Sequence, residues 1–190
     1  MDAEVLAAVA RWPNVPDVFG WLSLTARGKW RIRGEPIANC ALREFIGRNY
    51  AGDARGRWFF QNGPQRVFVS LECAPWVYRI QKDGSLRTHT GLVPSQLRAA
   101  ALIDASTFVL STELGAGNVD DRDSERLLAA LVDAKGRPLA DAQLEAALCR
   151  GDAFVEPRRC ALQGSATALR QMRAGQLAAA FGFDPLPQPA

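Results

Sequence analysis

Three features of this 190-residue sequence predict an α+β protein: mainly antiparallel sheets in two packed halves, plus a C-terminal extension. First, Arg57 to Gly91 reads as four short strands, WFFQ, RVFVSLE, WVYRI and LRTHT, separated by turn residues. Second, helical stripes lie on either side of this stretch and never within it. Third, the order of hairpins and then helix returns after residue 90, an echo of the first half without a fixed sequence period. The boundaries follow the composition: residues 1–75, residues 76–134, and an extension over 135–190.

The chain opens with Val5, Leu6, Val9 and Trp12 on one helical stripe, with Asp2 as N-cap and Pro13 as stop. Asn14 to Pro16 is a turn. WLSLT-ARG-KWRIR then reads as a hairpin, with Gly28 in the left-handed position, Leu24 opposite Trp30 and Leu22 opposite Ile32. Leu42, Phe45, Ile46 and Tyr50 form the next helical stripe, capped by Asn39 and followed by the polar loop AGDARG. In the central hairpin Pro64 biases Gly63 towards an extended conformation, so a four-residue loop pairs Gln61 with Arg66 and Phe60 with Val67. One face then carries Trp58, Phe60, Val67, Val69 and Leu71, which must be core.

Further on, Gln81–Ser85 turns a hairpin that pairs Ile80 with Leu86 and Tyr78 with Thr88. Ala99–Ile103 and Thr107–Thr112 form another. Gly115–Asp123 reads as an acidic loop, and a helix starts at Ser124 with Leu127, Leu128, Leu131 and Val132 on one side. Asp141–Cys149 reads as a short helix, Ala153–Val155 and Cys160–Leu162 as edge strands, and Ser165–Arg173 as helix. The tail packs through Phe181 and Phe183 before its prolines.

Composition narrows the class. With 48% apolar and 23% charged residues this is an ordinary globular composition, able to bury roughly 70% of its unfolded surface. No run reaches the ~18 apolar residues of a membrane span. The acidic start, Met1-Asp2-Ala3-Glu4, lacks the basic and apolar blocks of a signal peptide, which predicts a cytoplasmic protein. Cys40, Cys73, Cys149 and Cys160 show no metal-binding spacing and read as reduced thiols. Residues 1–98 hold 14 Lys/Arg against 8 Asp/Glu, net +6, and the remainder is net −3. That asymmetry either steers an anion to the first half or pairs the halves with each other.

Two segments, WLSLTARGKWRIRGEP and PIANCALREFIGRNYAGDARGRWFFQNGPQRVFVSLECAPWVYRI, carry a resemblance. They resemble an uncharacterised proteobacterial family known only as a domain of unknown function. More distantly, Gly34, Pro36 and Ile37 and then Glu72, Ala74, Pro75 and Trp76 match the order of a second uncharacterised bacterial family. The resemblance covers about residues 18–134, and the last ~55 residues, a normal size for an added subdomain or arm, fall outside it. It implies a duplicated α+β core, a pleckstrin-homology-like second half, and a ligand site between the halves for a nucleobase-containing molecule.

The residues themselves name no reaction. The single His89 cannot build a metal cluster, and no GxSxG or other nucleophile motif is present. Gly115 and Gly117 lack the third glycine of a dinucleotide fingerprint. Asp120, Asp121, Asp123 and Glu125 miss the calcium-loop spacing and read as a solvated loop at a helix start. No cofactor and no metal is expected. Lys29, Arg31, Arg33, Arg43, Arg48, Arg55, Arg57 and Arg66 alternate with core residues, and net +3 is far from a nucleic-acid footprint.

What stands out is the other face of the central hairpin: Phe59, Gln61, Arg66, Phe68, Ser70 and Glu72. Aromatic surface, a two-way amide and a planar cation suit an anionic, aromatic ligand. Arg48, Asn49, Asp53 and Arg55 border this face in sequence, and Trp76 follows it. The competing reading is structural, with Arg66 paired to Glu72 or to an acid beyond residue 99. The function expected is therefore a non-catalytic module that binds a small, nucleotide-like anion between its halves. The alternatives are a protein-interaction scaffold and an enzyme without a recognisable motif.

Overall fold

The computed structural model describes residues 1–104, 106–140, 159–162 and 164–189. The expected helix over 141–149 and strand over 153–155 lie outside the described residues. The fold is α+β, with two sheets of six and eight strands and few helices. The chain divides into two units, one formed by Met1–Pro75 with Gly182–Ala190 and the other by Trp76–Phe181.

The first unit starts with helix α1 (Ala3–Arg11), then strands β1 (Val18–Leu24), β2 (Trp30–Ile32) and β3 (Glu35–Pro36). Helix α2 (Cys40–Arg48), β4 (Tyr50–Gly52), β5 (Trp58–Asn62) and β6 (Gln65–Leu71) complete it. The strand order is β3-β2-β1-β6-β5-β4, antiparallel except for β1 against β6. The expected hairpin registers are present, Leu22 opposite Ile32, Leu24 opposite Trp30 and Gln61 opposite Arg66.

Asn39 caps α2 through its side chain, which accepts from Leu42 N at 3.0 Å. Phe45 of α2 meets Phe60 edge-on at 5.5 Å, so the inner face of the sheet is the one covered by this helix. Leu22, Leu24, Trp30, Phe60, Val69 and Leu71 are buried there.

Three local features depart from the pattern. Asp2 makes no capping bond to α1, because its carboxylate accepts from Asn49 Nδ2 and Arg48 Nε instead. Leu6 and Trp12 stay about half exposed, leaving Val5 as the buried residue of α1. AGDARG contributes β4, paired with β5, before the turn.

The first strand also begins three residues earlier than WLSLT, and its register slips. Val18 faces Val67 while Leu22 faces Val69, with Gly20 left-handed between them (φ 72°).

The second unit runs β7 (Trp76–Ile80), β8 (Leu86–Thr88), β9 (Leu97–Ile103), β10 (Thr107–Thr112) and β11 (Gly115–Val119). A 3-10 turn (Asp121–Asp123), α3 (Ser124–Ala129), β12 (Leu131–Val132), β13 (Arg159–Leu162), β14 (Ser165–Met172) and α4 (Ala174–Phe181) follow. The strand order is β12-β13-β14-β9-β10-β11-β7-β8. Its centre is buried Tyr78, Leu102, Val109, Leu110 and Leu169.

Three elements correct the sequence reading. The helix from Ser124 ends at Ala129, and Leu131 and Val132 form β12 against β13 rather than a last helical turn. Gly115–Val119 is a strand rather than part of a loop. A Cβ on Gly117 would fall 2.5 Å from the Tyr78 ring and 2.7 Å from Trp76 Cβ, so glycine is what admits those side chains. Ser165–Met172 is also a strand, parallel to β9 and antiparallel to β13, rather than helix. Its alanines favour helix locally, but pairing on both edges overrides propensity. The two sheets differ in strand number and order, and nothing in these orders establishes a duplication or a pleckstrin-homology-like second half.

Candidate functional site

The outer face of the first sheet gathers part of the expected site. Phe59 and Phe68 face each other across β5 and β6, with ring centres 5.8 Å apart. Both are buried, Phe68 to 1% exposure. Phe19 of β1 lies parallel to Phe68 at 4.6 Å, and the Arg57 guanidinium lies over the same ring at 4.5 Å. Phe68 is therefore covered by this unit's own residues, and an incoming ring would have to displace them.

An ion pair sits at each end of this aromatic strip. Arg66 lies over Phe59 and Phe68 at 5.8 and 5.5 Å. Its Nε and Nη2 donate to Asp17 Oδ1 and Oδ2 at 2.9 and 3.0 Å. The partner is thus Asp17, 49 residues earlier, and neither Glu72 nor an acid beyond residue 99. Glu72 instead accepts from Ala26 N.

At the other end Asp53 accepts from the backbone N–H of Arg55 and Arg57 and from Arg57 Nε. Burial alone would raise the Asp53 pKa, but these donors outweigh it and hold the carboxyl below its ordinary range. The two pairs differ in access. Arg57 and Asp53 are 12% and 15% exposed, whereas Arg66 and Asp17 are 41% and 25% exposed.

The remaining candidates fall elsewhere. Arg48 and Asn49 bind Asp2 and so tie α1 to the end of α2, with Asn49 fully buried. Gln61 donates to Gly63 O inside its own turn. The Arg55 side chain is exposed. Trp76 belongs to the second unit, where its Nε1 donates to Leu114 O at 2.8 Å. Sequence reasoning missed Asp17 and Phe19. Gly20 inside a strand pattern was the available sign that this segment bends.

The same outer face continues across β1 onto β2. Ser23 stands opposite Ser70 on one side and Arg31 on the other, and Trp21 lies two residues before it. Trp21 is half exposed, with the Arg33 guanidinium 3.9 Å above its ring.

The acidic stretch of the second unit is solvated only in part: Asp121 and Glu125 are exposed as expected, and the other two are not. Asp120 and Asp123 are fully buried carboxylates. Asp120 is bound bidentately by Arg122, which lowers its pKa to about 2 against the opposing effect of burial. Asp123 accepts from Arg79, Arg126 and Ile80 N. Among the described residues no three His, Cys, Asp or Glu side chains are gathered to hold a metal ion. No described helix is long and apolar enough to cross a membrane. Cys40, Cys73 and Cys160 are free thiols.

The chain belongs to the family described as "Protein of unknown function (DUF2946)", which it matches over residues 1–188. No curated protein matches it. A crystal structure of a DUF1285 family protein from Silicibacter pomeroyi DSS-3 is similar, at TM-score 0.54 and 16% identity, over 93% of this chain and 98% of that one. A DUF1285 family protein from Shewanella baltica OS155 is similar at TM-score 0.44 and 16% identity, over 56% of this chain and 88% of that one. The first likeness shows a shared fold.

Proposed function

We propose that this member of the family is a non-catalytic cytosolic module that binds a small, nucleotide-like anion, with Arg66 as the contact. The supporting observation is the state of that guanidinium. It rests on an aromatic floor at the rim of the sheet, and a partly exposed carboxylate, Asp17, fills its fork. A carboxylate in that position marks geometry that a ligand carboxylate or phosphate can also fill. The buried rings act as a rigid support for Arg66, while the ligand's base or ring lies outside them.

Thermal unfolding with a panel of nucleoside mono- and triphosphates and inorganic phosphate tests this. The wild type is stabilised by at least one nucleotide, and Arg66→Ala loses that response while remaining folded. Asp17→Asn removes the internal competitor and tightens nucleotide binding, by up to about fivefold for an exposed pair. A panel without effect on the wild type, or equal responses from wild type and Arg66→Ala, ends the reading.

A further inference from the structure

We propose that the open half of this outer face, centred on Trp21 and Arg33, docks an acidic segment of a protein partner. This surface is separate from the Arg66 fork and does not depend on the ligand reading. Its first argument is construction. Gly20 (φ 72°) slips β1 against β6 just before Trp21. Arg33 adopts a left-handed backbone (φ 50°) that side-chain-bearing residues seldom take, and Gly34 follows at φ 86°. The Arg33 N–H donates to Trp21 O at 2.7 Å, which sets the two residues opposite each other, and the guanidinium lies over the indole. Arg33 and Gly34 are the two turn residues between β2 and β3, where a tight hairpin requires left-handed backbone at both. The turn sets Arg33 beside the exposed Trp21.

The second argument is charge. Lys29 and Arg31 precede Arg33 at period two, and all three are exposed. Arg31 stands opposite Ser23, so it shares the face of Trp21. In this hairpin and its neighbour β3, Glu35 is the one acidic residue.

The partner is accordingly an anionic chain with one apolar side chain for the indole, since Trp and Arg are the types that dominate interface energetics. Main-chain recognition at this edge is closed off, because β3 has only two residues and one is Pro36. Side chains must therefore carry the contact. A nucleic acid fits less well, because stacking platforms for single strands present successive rings and this hairpin exposes one indole.

The test uses fluorescein-labelled synthetic peptides with runs of Glu and Asp around a single Leu, Phe or Trp, read by anisotropy on the full chain. Peptides of this kind bind, and Gln/Asn counterparts do not. Binding weakens steeply between about 50 and about 300 mM salt. Trp21→Ala and Arg31→Ala each weaken it about tenfold.

Arg33→Gly is the decisive variant. Glycine accepts the left-handed backbone, so the melting temperature does not fall while binding drops about tenfold or more. Arg33→Glu reverses the preference towards Lys-containing peptides. The proposal is overturned if no acidic peptide binds, or if Arg33→Gly binds as the wild type does. Binding of oligo(dT) without peptide binding overturns it in favour of nucleic acid.

Discussion

Arg79 of the second unit and Arg66 of the first carry similar side-chain exposure, 38% and 41%, but face different partners. Arg79 reaches down to Asp123, whose carboxylate has no exposed surface. Arg66 lies across rings and binds a carboxylate that is itself 25% exposed. In the second unit the arginines therefore serve to neutralise charge that the fold has taken out of water. In the first unit Asp17 instead holds an arginine that remains at the surface, although the neighbouring Asp53–Arg57 pair is enclosed. A buried ion that loses its partners is costly to the fold, whereas an exposed pair is nearly neutral. The same residue types thus neutralise buried charge at Asp123 and stay at the surface at Arg66.

The comparison breaks first at Asp123. Asp123→Ala removes the acceptor for Arg79, Arg126 and Ile80 N together. Because it leaves the buried Ile80 N–H without its acceptor and ends two charge-assisted bonds, it destabilises the protein by about 3 kcal/mol, read as a lowered urea midpoint. Asp123→Asn keeps an oxygen for Ile80 N and loses less. If Asp123→Ala unfolds no more readily than Arg66→Ala, the contrast between the units fails. The next effect is steric. Gly117→Ala drives a methyl group into Tyr78 and Trp76 and costs about 1–3 kcal/mol.

How much of this the sequence carried depends on the range of the interaction. Hairpin registers were legible because turns fix them within a few residues, as Gln81–Ser85 does. The central register also held, but its turn is the two residues Gly63 and Pro64. Gly63 is left-handed there (φ 56°) rather than extended, so Asn62 and Gln65 pair within the strands. The cap on α2 was legible because it too is local. β11 was not, since Gly115 and Gly117 lower strand propensity and only the rings packed on them explain their presence. β14 read as helix because its partners β9 and β13 are supplied by tertiary pairing. In the candidate site, Phe59, Phe68 and Arg66 could be placed on one face by alternation alone. Their neighbours Asp17 and Phe19 come from a strand some fifty residues away, and no local pattern announces them. Asp120 and Asp123 looked solvated because a run of acids usually is, and only the fold shows that Arg79, Arg122 and Arg126 converge on them.

Acid sharpens the same contrast. The chain has one histidine, and His89 Nδ1 accepts from Val77 N, which requires a neutral ring. Desolvation lowers its pKa from 6.5 to about 3. Unfolded chains therefore take up a proton below pH 6.5 that the folded protein refuses, and stability falls from pH 6.5 towards 3. Asp120, depressed from 3.8 to about 2, contributes stability above pH 3.8 that is lost as pH falls towards 2. The urea midpoint should begin to drop near pH 6.5, and His89→Gln should flatten the limb above pH 4.5 while leaving the lower limb. An unchanged profile in that variant would remove His89 from the account.

The smallest effect is the one on which the ligand reading turns. Arg66→Ala removes an exposed pair and two contacts between a cation and rings, so the unliganded protein loses no more than about 1 kcal/mol. Phe68 keeps Phe19 and Arg57 against it, so the aromatic strip persists without Arg66. Asp17→Asn should be equally mild. Small stability effects in both variants leave a change in nucleotide response readable as binding. Should Arg66→Ala instead lose 3 kcal/mol or more, of the order reserved for buried pairs, Arg66 would be structural in the sense that Arg79 is. The first unit would then resemble the second, and the outer face would retain only Trp21 and its neighbours as a surface open to partners.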